Sequence, residues 1–489
     1  MEATALKQFC LLKYEDSEVS IPLFDESLCG NGPKVSVVIG PNGSGKSRGL
    51  SRVVDELCYL YTLRNPDQPA RSRFRPASEK AKIEYRIDRA HCAISRDGHD
   101  LECRLNGEPS TLSELPFPKR VATVAHLPSD KFRFLRSEAS DFYRYLGLRQ
   151  ATNLTTTGAL ETKVIQSLLV GFTQDGFAQR LETWLSLAGM TSDAAITITL
   201  ASADLLSSNQ DDFRDAALRA ARRRAGPARS ISFEQSEGWL MDLDKVWLLV
   251  SKLHDFNWLY DSHNPSLIVE LMPLFSDPDS ARIWIDGIDA ARRRRLFQET
   301  SLLIGKAGGR HRFSDLSSGE QQLVGTNARL LAELEPGSVV FIDEPEISLH
   351  PEWQIKYIPT LLKSLAAMPS THVVIATHSH FMVSDLDSEN SSLITSSYQD
   401  GPKFKLFDGD VYGRSPENIL YRVFGVATSG NSYVEGDLHS ALRMLSSVEP
   451  VNLVELGAIY HRLEKVRGKD NPAMNVILEK MGRVLEGAQ

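Results

Sequence analysis

Residues 35–47 read Val-Ser-Val-Val-Ile-Gly-Pro-Asn-Gly-Ser-Gly-Lys-Ser: an apolar run, then a glycine-rich turn ending in Lys-Ser. The run Val35–Ile39 has the length and β-branched content of a fully buried strand. The segment Gly40, Pro41, Asn42, Gly43, Ser44, Gly45, Lys46 and Ser47 matches the phosphate-binding loop pattern in full, with a helix expected from about Lys46. The chemistry explains the residue types. Small residues let backbone N–H groups curl around phosphates, Lys46 reaches the β and γ phosphates, and the Ser47 hydroxyl is a Mg2+ ligand. ATP and Mg2+ are therefore the expected cofactors.

A second acidic element lies almost 300 residues on. The apolar run Val339–Ile342 delivers Asp343 and Glu344, the pattern of a Walker B strand. Asp343 would hold the metal from the far side, and Glu344 would orient or deprotonate the attacking water. Between the two, Leu316-Ser317-Ser318-Gly319-Glu320 precedes a helical stretch. A helix N-terminus there offers free N–H groups to an anion, although the same string also reads as a plain helix cap.

In this order the motifs resemble those of ABC ATPases, whose signature segment contacts the γ phosphate held by the opposite subunit. The resemblance implies that role for Ser317, Ser318 and Gly319. It also implies a switch histidine at His378, after the strand His372–Ala376, whereas the neighbouring His380 matches nothing. Ile342–Gln354 (IDEPEISLHPEWQ) and Ile375–Asp385 (IATHSHFMVSD) are similar to SMC-like and overcoming-lysogenization-defect ATPases, and place Ser348–Pro351 at the subunit contact. One departure stands out. The strand Val121–Leu127 leads into Pro128-Ser129-Asp130 without the family's Gln, so Ser129 or Asp130 is the candidate for that metal-water position.

The fold expected is α/β: an ABC ATPase head with a P-loop core sheet and an antiparallel β subdomain, a largely helical insertion and a helical tail. The divisions fall at 1–136 (N-terminal half of the ATPase domain), 137–310 (helical insertion or arm), 311–407 (C-terminal half) and 408–489 (partner or oligomer contacts). The insertion reads as helical in Ala159–Gln174, Phe177–Leu187, Gly238–Tyr260 and Ser280–Phe297.

Composition sets limits. A formal net charge of -8 argues against a constitutive polyanion-coating protein. Two arginine groups interrupt it, Arg219, Arg222, Arg223, Arg224 and Arg229, then Arg292–Arg295. They read either as a nucleic-acid contact through the insertion or as helix faces paired with local acids such as Asp211, Asp212 and Asp215. Trp239, Trp247, Trp258 and Tyr260 read as core rather than a stacking platform. The five cysteines, Cys10, Cys29, Cys58, Cys92 and Cys103, form no Cys-x-x-Cys pair, and no apolar stretch reaches membrane-spanning length. A cytoplasmic protein with no membrane contact is expected.

The string Tyr433–Ser440 resembles the first element of a Toprim nuclease, but no Asp-x-Asp follows it, so no nuclease site is expected in this chain. A separate effector is then expected. The tail Val411–Val426 looks similar to the PtuA ATPases of Septu and retron-associated Septu-like anti-phage systems, which implies an HNH nuclease partner and a head-to-tail dimer or higher oligomer. A PARIS-type defence ATPase and an SMC-like DNA-repair or chromosome-maintenance ATPase are the alternatives. The long gap between the Lys-Ser loop and the signature disfavours a transporter subunit, and the insertion lacks the sustained heptads of a long arm.

Overall fold

The computed structural model describes residues 8–486 except 27, 29–31, 68–73, 128, 136–139, 148, 150–156, 226–236, 254–257, 262–265, 272–277, 385, 388, 408–420, 422–431, 447–451 and 468–471. The first half holds β1 (Phe9–Asp16), β2 (Ser20–Pro22), β3 (Lys34–Ile39), α1 (Lys46–Arg64), β4 (Lys80–Ile87), β5 (Ala90–Asp97), β6 (Asp100–Leu105), β7 (Glu108–Ser110), β8 (Arg120–Ala125) and β9 (Tyr143–Tyr145). Then follow α2 (Thr157–Gly171), α3 (Phe177–Leu187), β10 (Met190–Leu200), α4 (Gln210–Ala225), α5 (Glu237–Lys252), β11 (Trp258–Asp261), β12 (Ser266–Glu270), α6 (Pro278–Arg293), β13 (Phe297–Lys306) and β14 (Gly309–Arg312). The remainder comprises α7 (Ser318–Glu333), β15 (Ser338–Asp343), α8 (Pro351–Ser364), β16 (His372–Thr377), β17 (Ser391–Tyr398), β18 (Pro402–Leu406), α9 (Ser432–Ser446), α10 (Leu453–Lys465) and α11 (Pro472–Glu486).

Seven strands form the central sheet in the order β18-β17-β3-β16-β15-β8-β9, parallel throughout except for the β17–β18 hairpin. Every residue of β3, β15 and β16 is buried, as a parallel sheet covered on both faces requires. One face packs with α1 against the antiparallel sheet β2-β1-β4-β5-β6-β7, through Val38, Leu50, Val53, Val121 and Phe341. The other face packs against α2, α3, α7 and α8, through Val37, Val124, Trp184, Leu323 and Ile342. This is the α/β ATPase-head layout expected, with a P-loop core sheet and an antiparallel β subdomain.

The insertion departs from expectation in part. Helices α2–α6 make up most of its regular structure, as expected, but β10, β12, β13, β11 and β14 also make a five-stranded antiparallel sheet in the order β11-β12-β10-β13-β14. Helix α5 ends at Lys252, and Trp258–Asp261, read as its continuation, is a strand paired with β12. The run Ala195-Ile196-Thr197-Ile198-Thr199 carries the β-branched residues that suit a pleated, half-buried surface, and two partner strands fix it extended. Nor does the insertion stand off as an arm, because Val164, Leu168, Trp184 and Leu185 belong to the same core as the central sheet. Strand β9, beyond the expected boundary at 136, extends that sheet beside β8.

Helices α9–α11 bury their own core of Ala441, Leu456, Ile459, Leu463, Leu478 and Met481. Glu435 lies in α9 rather than at a strand end, and Asp437 pairs with Arg462 at 2.8 Å. The tail string Val411–Val426 lies outside the described residues apart from Tyr421. Cys10, Cys58, Cys92 and Cys103 are free and buried, and Cys29 lies outside the described residues.

Helix α1 is bolted to the antiparallel sheet by Arg96, whose guanidinium meets both Glu56 carboxylate oxygens at 2.8 and 2.7 Å and also donates to the Ser78 and Glu79 carbonyls. Both side chains are almost fully buried, at 1% and 2% exposure. Removing one partner leaves an uncompensated buried charge, which costs ~3–5 kcal/mol. Glu56→Ala is therefore expected to destabilise the fold by that amount in denaturant unfolding, and a loss below ~1 kcal/mol would contradict a pair held in the dry interior.

Candidate functional site

Strand β3 carries the loop 40–45 to the C-terminal edge of the parallel sheet, where ligands of open α/β folds bind. Gly43 and Gly45 adopt positive φ of 78° and 93°, conformations open to glycine at no steric cost. Gly45 caps α1 without any side-chain hydrogen bond, so the first N–H groups of the helix are offered to an anion. Lys46 is 4% exposed and its Nζ donates to the carbonyls of Gly40 and Pro41 at 2.8 and 3.0 Å. Burial lowers its pKa, while Glu344, Glu346 and Asp343 oppose the fall.

The two distant motifs meet directly. The Ser47 hydroxyl donates to Asp343 Oδ1 at 2.8 Å across 296 residues of chain. Burial raises the Asp343 carboxyl to about 6, with the Ser47 bond and Lys46 opposing and Glu344 and Asp130 adding to the rise. This donor set, a hydroxyl beside a buried carboxylate at the foot of a loop with free N–H groups, suits a magnesium-bound triphosphate. Ser47 and Asp343 would hold the metal. When bound, Mg2+ supplies a hard positive charge to the phosphate oxygens.

Beyond Asp343 the backbone turns sharply. Glu344 sits at φ +51° and its N–H donates to the Ala376 carbonyl at 2.8 Å, so the end of β16 holds it in the left-handed region. Such strain at a non-glycine residue persists only where the surroundings impose it. His378, just past β16, brings Nδ1 to 3.7 Å from Glu344 Oε1 and 3.1 Å from Glu346 Oε1. Lys46, Ser47, Asp343, Glu344 and His378 therefore converge.

Glu346 is a member of the site that the motif reading passed over. It is 6% exposed, its Oε1 accepts from the His378 backbone N–H at 2.8 Å as well as facing the ring, and its Oε2 has no partner among the described residues. It stands in the sequence as the third acid of Asp343-Glu344-Pro345-Glu346, with no spacing that marks its role. Gln354 ties the same region together, accepting from the Ser379 hydroxyl at 2.6 Å and donating to the Leu349 carbonyl at 2.9 Å.

The signature segment lies elsewhere. Ser317 is the N-cap of α7 in a full capping box, and Glu320 Oε2 accepts from both its N–H and its hydroxyl at 2.9 Å. The plain-cap reading and the signature reading thus describe the same residues. Lys306 pairs with Glu320 at 2.6 Å; burial would raise that carboxyl, but Lys306 and Ser317 hold it below its usual value. Ser317 and Ser318 are exposed, and among the described residues no hydrogen bond or ion pair joins 316–320 to 40–47. Gly319 instead packs on Ser348: a Cβ there would sit 2.5 Å from the Ser348 carbonyl oxygen. Ser348, at φ +64°, and the two signature serines therefore share one surface region.

The position of the missing Gln is occupied differently from either candidate role. Ala125, at the end of β8, is level with Asp343, but Ser129 is exposed and the Asp130 carboxylate is fully engaged. Asp130 accepts from Arg149 at 2.7 and 2.9 Å, from the Tyr145 hydroxyl at 2.6 Å and from the Phe132 N–H at 2.9 Å. Asp130 could serve a metal only by leaving Arg149.

Members of both arginine groups, and Arg214 beside the first, are engaged within the insertion. Arg293 and Arg294 both pair with Asp242 at 2.8 Å, Arg292 donates to the Thr162 hydroxyl at 2.6 Å, and Arg214 and Arg219 face Asp244 and Asp204. The Arg224 side chain and Arg229 lie outside the described residues, as do the Trp258 and Tyr260 side chains. Trp239 is buried, with the Arg294 guanidinium over its ring.

The loop, the Ser47–Asp343 pair and the strand-end acids have the arrangement of a P-loop nucleotide site. Comparison with known proteins agrees at that level. Residues 204–384 match the family described as "AAA domain, putative AbiEii toxin, Type IV TA system", a span that covers less than half of the chain and does not include the loop at 40–47. The chain is 35% identical over 123 residues to the "Retron Ec83 probable ATPase" of Escherichia coli; the shared stretch spans 23% of this chain and 21% of that protein. Among solved structures, the SMC head domain from Thermotoga maritima overlaps 82% of this chain and 100% of its own, with 12% identity and a TM-score of 0.32. The Smc head domain with a coiled coil and joint from Pyrococcus yayanosii overlaps 83% and 98%, with 13% identity and the same TM-score. Among the described residues no helix is long and apolar enough to cross a membrane.

The raised Asp343 carboxyl has a consequence for stability. An acid whose folded pKa lies near 6 against 3.8 penalises the nucleotide-free fold when charged, above that range, and the penalty fades as the pH falls from about 6 towards 4. Asp343→Asn is expected to raise the Tm of the nucleotide-free protein at about pH 7.5 and to lose most of that advantage by about pH 4. Thermal unfolding at the two pH values checks this; a Tm difference that does not change with pH would contradict it.

Proposed function

We propose that the chain is the ATP-hydrolysing subunit of a prokaryotic anti-phage complex, acting as a head-to-tail dimer or larger assembly that controls a separate nuclease. The observation that carries the dimer is the split of the site. Lys46, Ser47, Asp343, Glu344 and His378 converge, whereas Ser317 and Ser318 lie exposed, Gly319 is buried against Ser348, and among the described residues none of the three is bonded to its own loop. A second copy would bring its signature helix N-terminus to the γ phosphate, closing the site with N–H groups and a helix dipole.

In this reading Lys46 and the loop amides bind the phosphates, Glu344 activates the water, and His378, steadied by Glu346, contacts the γ phosphate or that water. Closure on ATP and opening after hydrolysis would be the signal passed to the partner. The defence setting is supported by the retron ATPase relative and by the motif resemblance of Ile342–Gln354. An HNH nuclease of the Septu type is the partner we favour, on the sequence of the tail alone. The pairing of Arg293 and Arg294 with Asp242 argues against those two as a nucleic-acid contact.

Glu344→Gln tests the core of this reading. Turnover should fall by at least about 100-fold, the usual contribution of a general base, while Mg-ATP binding persists and the protein accumulates as an ATP-bound dimer in light scattering. Normal turnover in that variant would remove Glu344 from its role, and a strictly monomeric ATP-bound form would remove the shared site. Glu346→Leu should also lower kcat with little change in ATP affinity, since it touches His378 and not the loop; an unchanged kcat would show that the His378 contact is dispensable.

A further inference from the structure

The strand order places two different neighbours on the two sides of β3. Strands β16 and β15 lie on one side, and the β17–β18 hairpin lies on the other. Asp343, Glu344 and His378 all emerge from β15 and β16, so the metal and the terminal phosphate belong on that side. A nucleotide laid along the loop then has its nucleoside end towards the hairpin.

The hairpin reaches the right level. β17 runs parallel to β3 with Thr395 level with Ile39, so Ser396, Ser397 and Tyr398 extend past the strand end at the same edge as the loop. It also touches the loop. The Ser396 hydroxyl lies 2.7 Å from the Ser44 hydroxyl and donates to the Ile39 carbonyl at 3.2 Å. Ser396 leaves no room for a Cβ on Gly40, and a Cβ on Gly45 would sit 2.8 Å from Pro402, the residue paired across the hairpin with Tyr398.

Side chains alternate along a strand, so Ile394, Ser396 and Tyr398 share a face. Ile394 on that face is buried with Phe404 in the core that includes Leu50 and Val53 of α1, and Ser396 meets the loop. Tyr398 comes next on the same face, yet it is 66% exposed. An aromatic ring left in water at the nucleoside end of a phosphate loop is a stacking surface for a base.

Resting on the P-loop reading above, we propose that the tip of the β17–β18 hairpin is the base-recognition end of the nucleotide site, with Tyr398 stacking on a purine and Pro402 setting its distance from the loop. Calorimetric titration of the full chain with Mg-ATP and, separately, with magnesium tripolyphosphate tests this. Tyr398→Ala should weaken ATP binding about ten-fold, leave tripolyphosphate binding unchanged, and be rescued by Tyr398→Trp. If Tyr398→Ala binds ATP as the unaltered protein does, or weakens both ligands equally, the proposal is overturned. Lys46→Ala separates the two layers: it should lose both ligands, and if it keeps them it is the P-loop reading itself that fails.

Discussion

The hydrogen bond from Ser47 to Asp343 joins the start of α1 to the end of β15, and the rest of the site depends on the two being held at that spacing. Neither residue could hold its place alone. Ser47 is fixed because α1 is packed along the sheet and tied through Glu56 to the buried Arg96. Asp343 is fixed because β15 is buried on both faces between β16 and β8. A carboxylate in so dry a place is costly as a charge, which is why its pKa rises.

Strain gathers around the same point. Glu344 and Ser348, both at positive φ without being glycine, bracket Glu346, and the three stand between β15 and α8. Backbone hydrogen bonding to Ala376 and the Gln354 bridge oblige the chain to take this path. The path has two results. It turns Glu344 and Glu346 towards His378, and it presents Ser348 to Gly319 so that the segment following the acidic strand and the signature cap form one outward region. Within one chain, the cap at Ser317 makes no hydrogen bond or ion pair to the loop that carries Lys46 among the described residues.

Much of this was legible from residues whose chemistry is local. Gly43, Gly45, Lys46 and Ser47 announce a phosphate loop because few other uses need small residues before a Lys-Ser pair, and the buried runs of β3, β15 and β16 mark parallel strands by their lack of alternation. The insertion was misread where local signal and tertiary pairing disagree. Trp258–Asp261 continues the apolar character of α5, and only the partner strand β12 makes it extended. Glu346 and Ser396 carried no recognisable spacing, since their roles come from neighbours 32 and 352 residues away. Asp130 lay at the expected place, but its ion pair with Arg149 depends on a turn that no motif encodes.

The central claim is that one active site draws on two chains, and mixing two inactive variants measures it most directly. Lys46→Ala removes the phosphate grip and Ser317→Arg blocks the signature cap, so each alone should hydrolyse little ATP. In a mixed dimer one site regains an intact Lys46 from one chain and an intact Ser317 from the other, and the account predicts that activity returns on mixing. Mixtures as inactive as their components, with exchange between dimers verified, would contradict it.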